Sequence, residues 1–466
     1  MDEIDINDRK SFELISYILS EVAATATKAS KSLSSVFEEV DPWFMMPHPQ
    51  GHGSLLVSKK AVSALDTLVM RVIKLRDLES RVTYSDIKKE LGAEIIKRFV
   101  SEGRAIDQKQ TDRLLSWAAK RAAARCGEFT YYYPLRFTFT SEPGEIDIGA
   151  VKIRWLDQFQ PEIFNQVKAY LRANPSESDR KWARKHLRTA AEYYKSYKWV
   201  AVVTVKNCDA KRAQDAAHDL LTSALDCLYF LIGRKGTHRV EVGRFQISSD
   251  SRALAWIKKD GLMTIQTSTG SLDAMGFPEG WSKDLQREDV VETLQLIRLV
   301  LNSKVDLSVR RPIASRFLDA ARWFGEGVRD KQSFSKVVKF ITAIERLMVA
   351  GSKSDIAETV STRVADLTMS SDCLDDWRLK KKIVKEAYDL RSKLVHGSVS
   401  PFSKSVSEGV LICGDVAEEV LYAFLHRVGK DGLLKTDLSE DQYARWFDHI
   451  REWVSRLHDH AYRTTG

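Results

Sequence analysis

Arg391 and His396 are the pair in this chain best suited to chemistry. A guanidinium is permanently charged and can grip a phosphate through two N–H groups at once. An imidazole takes and gives a proton near neutral pH. Without any metal, the two suffice to cleave an RNA phosphodiester. The base takes the 2′-hydroxyl proton, and the cation stabilises the charge that builds on the phosphorane. Both lie in the run Tyr388-Asp389-Leu390-Arg391-Ser392-Lys393-Leu394-Val395-His396-Gly397.

Spacing alone does not distinguish this pair, since Arg180 and Arg212 also stand close before His186 and His218. A plainer reading has Gly397 as a left-handed cap behind a cationic last helical turn. The stretch 376–396 reads as a helix with Ile383, Ala387, Leu390 and Leu394 as its core stripe and Arg391 beside it. On an ideal helix Arg391 and His396 point about 140° apart. Either the last turn departs from α geometry, or the site is shared between two copies.

The ten-residue run resembles the active-site helix end of the HEPN superfamily, in its Apea-like branch. Phe340-Ile341-Thr342-Ala343-Ile344-Glu345-Arg346-Leu347 is similar to that family's earlier, Glu-bearing helix, and Ser361 to Leu367 to its middle, Arg-bearing helix. The resemblance covers about 311–430, roughly a quarter of the chain. It implies a helical bundle and a metal-independent endoribonuclease that pairs through a two-fold, so that both motifs line one cleft. It also implies antiphage defence or toxin activity in a prokaryote, on tRNA or another structured RNA. His396 would be general base and then acid, with Arg391 on the scissile phosphate. Glu345 would orient one of them by a charge-assisted bond. Ser392 and Lys393 would contact substrate, and Arg363 would pair with an acidic residue of the bundle. A non-catalytic HEPN module that binds nucleotide or RNA, or scaffolds a complex, is the alternative.

The rest of the chain must position this motif. At 466 residues it is long for one core. The pattern is mostly α with an α+β middle domain: a helical region 1–125, an α+β domain 126–280, and a helical domain 281–466 that contains the HEPN-like bundle. In the first region Phe12, Ile15, Leu19 and Val22 recur at helical spacing, as do Leu65, Leu68, Val72 and Leu75. Between them, 41–53 reads as a loop, and its His48 and His52 lack the further ligands a metal site needs. β-forming runs occupy 129–139, 145–153, 199–205, 239–248 and 262–267, with a helix over 211–232. From 287 the pattern is helical in successive segments: 287–302, 312–328, 333–350, 355–368, 376–396, 408–428 and 440–462. The N-terminal two-thirds is expected to sense a trigger, select RNA or hold the nuclease off, with a phage-derived trigger or inhibitory partner as its counterpart.

A net charge of +8 and a pI near 9.0 suit a polyanionic partner. The densest basic stretch runs from Arg180 to Lys198, where Lys181, Arg184, Lys185 and Arg188 could track phosphates or form a solvated face. Arg113, Lys120, Arg121 and Arg125 form a second basic helix end, with the same two readings. Five scattered Cys without a Cys-x-x-Cys argue for a reducing cytosol and against a zinc ribbon. The longest apolar run, Leu220 to Ile232, is short and contains Asp226, so no membrane partner is expected. No nucleotide loop, nucleophile elbow or metal-ligand motif stands out, and no cofactor is expected.

Overall fold

The computed structural model describes residues 10–31, 36, 38–51, 53–136, 145–157, 197–232, 241–242, 249–257, 263–271, 285–350, 355–369 and 374–464, with isolated positions between 161 and 194. The fold is mostly helical with small sheets. The chain forms two compact units. The first comprises Met1–Phe129, Val205–Ala216 and Asp306–Ser308, and the second holds the remainder. Among the described residues, no helix is long and apolar enough to cross a membrane.

In the first unit, α1 (Ser11–Lys31), α2 (Lys59–Lys74), α3 (Tyr84–Ile95) and α4 (Gln108–Ala124) enclose one core. Each contributes an apolar stripe at helical spacing, such as Leu14-Ile15-Ile18 on α1 and Leu65-Leu68-Val72 on α2. Leu75 falls at the C-cap of α2 and is exposed, so it ends the stripe rather than extending it.

The segment read as a loop is instead a hairpin, β1 (Val40–Pro47) antiparallel to β2 (Ser54–Ser58). Side-chain alternation explains it: Phe44 and Met46 are buried while Met45 between them is exposed. His48 sits in the hairpin turn, where its N–H donates to the Gly53 carbonyl; His52 lies outside the described residues. Asp209 knits this unit together. Its buried carboxylate accepts from the Thr83 hydroxyl at 3.0 Å and from the Arg212 N–H at 2.9 Å.

A five-stranded sheet of order β4-β5-β6-β3-β7 belongs mostly to the second unit. Its strands are β3 (Gly127–Arg136), β4 (Glu145–Asp147), β5 (Val151–Trp155), β6 (Trp199–Cys208) and β7 (Glu241–Val242). β5 pairs antiparallel with β6 from Val151↔Val203 to Trp155↔Trp199. A separate hairpin joins β8 (Ser249–Ile257) to β9 (Met263–Ser271), longer than the strand expected over 262–267.

α5 (Ala210–Ile232) precedes seven further helices. These are α6 (Glu288–Asn302), α7 (Pro312–Arg329), α8 (Ser333–Met348), α9 (Ile356–Leu367), α10 (Leu374–Val395), α11 (Lys404–Lys430) and α12 (Glu440–Thr464). α8 is the central element, packed against α7, α9, α10 and α11. Small residues allow the closest approaches. A Cβ at Gly327 would lie 2.7 Å from the Phe340 ring, and one at Gly325 would lie 2.1 Å from Asp226 Oδ1. Asp226 is fully buried on α5 and pairs with Arg329 at the end of α7.

Candidate active site at the end of α10

Glu345 owes its position to the way α8 ends. The last carbonyls of a helix have no partner inside the helix and must find one elsewhere. Here three neighbouring helices supply it. Arg316 of α7, itself 7% exposed, donates to the Arg346 carbonyl at 2.9 Å and the Val349 carbonyl at 2.8 Å. The Tyr443 hydroxyl of α12 donates to the Leu347 carbonyl. Arg363 of α9 donates to the Met348 carbonyl at 2.6 Å and stacks on Phe447, its guanidinium carbon 4.4 Å from the ring centre. Two guanidiniums thus meet the negative end of the α8 dipole, which favours cations. Arg363 was expected to pair with an acid. It caps a helix instead, because four adjacent carbonyls need donors there.

One turn before this cap, Glu345 faces α10. Its carboxylate accepts from the Tyr388 hydroxyl at 2.8 Å on one oxygen and from Arg391 Nη2 at 3.3 Å on the other. Both members of the ion pair are largely buried, with side chains 25% exposed for Arg391 and 18% for Glu345. Burial, and then the bond to Glu345, pushes the Tyr388 hydroxyl up to about 12, so it serves as a neutral donor. Tyr388 and Glu345 therefore hold Arg391, and of the two orientation roles open to Glu345 the structure places it on the arginine. The Arg391 Nε–H is buried with no hydrogen-bond partner among the described residues.

The inward face of α10 differs from the expected stripe. Val384 and Ala387 are its buried residues, while Ile383, Leu390 and Leu394 are only partly buried. The face is rotated toward Arg391 because Arg391 follows Val384 by two turns and its ion pair with Glu345 is part of the packing. Leu390 instead meets α11, where a Cβ on Gly409 would lie 2.3 Å from its Cδ2.

The helix stays regular to its end. The His396 N–H donates to the Ser392 carbonyl at 3.0 Å, Gly397 to Leu394 at 3.2 Å, and Ser398 to Lys393 at 2.8 Å. Gly397 has φ +73°, the left-handed conformation that this type of cap demands. Backbone groups alone form the cap, and the exposed His396 imidazole is not needed for it. Because the last turn does not unwind, Arg391 and His396 keep their separation of about 140°. One chain brings Arg391, Tyr388 and Glu345 together and leaves His396 on a different face. Ser392 is partly buried beside them, and Lys393 is exposed.

The remaining site candidates lie elsewhere. Lys181, Arg184 and Lys185 are exposed in helical turns, and Arg188 lies outside the described residues. Among the described residues, no group of three or more His, Cys, Asp or Glu could hold a metal ion.

One constellation has no signal in the sequence because its members are far apart. Thr293 Oγ1 of α6 lies 2.9 Å from His426 Nε2 of α11, and Glu292 Oε1 lies 3.8 Å from Nδ1. The order hydroxyl, imidazole, carboxylate matches that of a hydrolase. Thr293, however, is 2% exposed, so no substrate reaches its hydroxyl, and the row ties α6 to α11. Burial holds the imidazole below its ordinary pKa, with Glu292 pulling the other way.

No protein-family model matches the chain, and neither the curated proteins nor the solved structures contain a match to it.

Proposed function

We propose that the chain is a metal-independent endoribonuclease of HEPN type, acting as a dimer on tRNA or another structured RNA, in the manner of an antiphage or toxin effector. The observation that carries the reading is the braced Arg391: a guanidinium held by Glu345 and Tyr388 one helical turn and a half from an exposed, uncommitted imidazole. In the proposed reaction His396 takes the proton of the RNA 2′-hydroxyl. The 2′-oxygen then attacks phosphorus, and Arg391 stabilises the phosphorane charge. The 5′-oxygen leaves with the proton that His396 returns, giving a 2′,3′-cyclic phosphate and a 5′-hydroxyl.

The separation between Arg391 and His396 supports a composite site, in which the arginine of one copy works with the histidine of a second. Exposed apolar side chains around the motif support a self-complementary contact there. Val395 is 55% exposed and Phe402 is 89% exposed, with Leu411 and Ile412 following on α11.

Mixing Arg391→Ala protein with His396→Ala protein tests this arrangement directly. Each variant alone is expected to be inactive. Exchange of protomers should restore up to about a quarter of wild-type cleavage, since half the dimers are mixed and each carries one intact pair. A site built within one chain gives no recovery on mixing. The backbone cap at Gly397 favours the second reading, a non-catalytic RNA- or nucleotide-binding module, in which this helix end is structural. On that reading neither variant changes what the protein does to RNA.

A further inference from the structure

The basic helix end that holds Arg113, Lys120 and Arg121 belongs to the first unit. α4 turns Leu114, Leu115, Ala118, Ala119 and Ala122 into the core. Its outer face carries Lys109, Arg113, Lys120 and Arg121, all exposed and recurring at helical spacing. They border a shallow, open depression with Trp117 within it. Two guanidiniums lie near the partly buried indole, Arg98 at 5.2 Å and Arg121 at 5.7 Å from the ring centre. Glu94 fixes Arg98 at 2.7 Å.

The charge arrangement is unfavourable for the helix itself. Lys109 stands in the first turn, which holds no acidic residue, so it opposes the dipole. Lys109 and Arg113 are like charges four apart, a pairing that destabilises a helix. Other exposed lysines face a carboxylate four residues on, as in Lys382–Glu386 on α10 and Lys404–Glu408 on α11. On α4, among the described residues, no carboxylate pairs with Lys109, Arg113 or Lys120. Asp112 accepts from Gln108 Nε2 at 2.7 Å. Glu90 lies 3.5 Å from Arg121 but only 2.6 Å from Arg125. Uncompensated cations along about 16 Å of helix, with an aromatic ring among them, match a phosphodiester backbone whose bases are free to stack.

We infer that the α4 face binds single-stranded RNA, with Lys109, Arg113 and Lys120 on phosphates and Trp117 as a stacking platform. The choice of RNA over DNA rests on the proposed function of the α10 site; the phosphate and stacking contacts do not. The face would hold a strand of the substrate.

The test uses full-length His396→Ala protein and a short fluorescein-labelled single-stranded RNA, with anisotropy read across a salt series. Changing Lys109, Arg113 and Lys120 together to Gln should lower the slope of log affinity against log salt by about 2, at about 0.7 per lost contact. Trp117→Ala should weaken binding about tenfold, and Trp117→Phe should restore most of it. The three cations are exposed and oppose one another or the helix dipole, so thermal melts of the triple variant should match or slightly exceed the parent.

An unchanged salt slope in a folded triple variant overturns the inference. So does equal displacement of the RNA by polyglutamate, which would assign the face to an acidic protein surface. A fall in slope with no cleavage by the wild-type protein leaves this face standing and removes only the nuclease reading.

Discussion

Alanine at His396 is expected to lower RNA cleavage by at least ~100-fold, the low end for a general acid–base group, while leaving the melting temperature where it was. The two halves of that expectation have different origins. The loss of rate comes from removing the proton acceptor. The unchanged stability comes from the cap: Gly397, Ser398 and the His396 N–H make their bonds through the backbone, and alanine keeps all of them. Arg391→Ala should remove cleavage to a similar degree but behave differently on heating. It strips Glu345 of its cation, and losing a hydrogen bond to a charged group costs about 1.5–3 kcal/mol. Single-turnover cleavage beside a thermal melt separates the two. An active His396→Ala protein, or one that loses activity only because it unfolds, would contradict the catalytic role.

Arg329→Met is expected to destabilise the second unit by about 3–5 kcal/mol near neutral pH, and by much less in mild acid. Asp226 is fully buried, and burial pushes its carboxyl up to about 7 against the opposing pull of Arg329. A carboxyl that holds its proton longer in the folded than in the unfolded state stabilises the fold at low pH. That contribution is lost as pH rises from the ordinary 3.8 through about 7. Without Arg329 the ionised form loses its hydrogen-bonded counter-charge and keeps only the weaker pull of Arg322, so the loss above neutrality deepens. Below about pH 5 the carboxyl is protonated and needs none. Denaturant unfolding of both proteins at the two pH extremes measures this. Equal destabilisation at both would show that Asp226 does not titrate as its burial requires.

The helices of the second unit were legible because their apolar residues recur at 3.6-residue spacing over long stretches. α6 to α12 begin and end within a few residues of the segments read from the sequence. The β1–β2 hairpin was not, since Pro42, Pro47 and Pro49 disguise a strand whose only period-2 signal is Phe44-Met45-Met46. At the site, Arg391 and His396 could be singled out by residue type, and Glu345 only through the resemblance of its helix to a Glu-bearing one. What holds Glu345 in place could not. Arg316, Arg363 and Tyr443 are distant in sequence and meet only because four carbonyls at the end of α8 need donors. The rotated face of α10 has no hydrophobic signature for a related reason: a half-buried ion pair takes one of its inward positions.

The most direct measurement is the chemistry of the cut ends. Purified protein is incubated with total RNA in excess EDTA, and the termini of the fragments are analysed. The 2′-hydroxyl mechanism predicts undiminished cleavage, with 2′,3′-cyclic phosphate on one fragment and 5′-hydroxyl on the other. Fragments bearing 5′-phosphate, or cleavage abolished by EDTA, would contradict it.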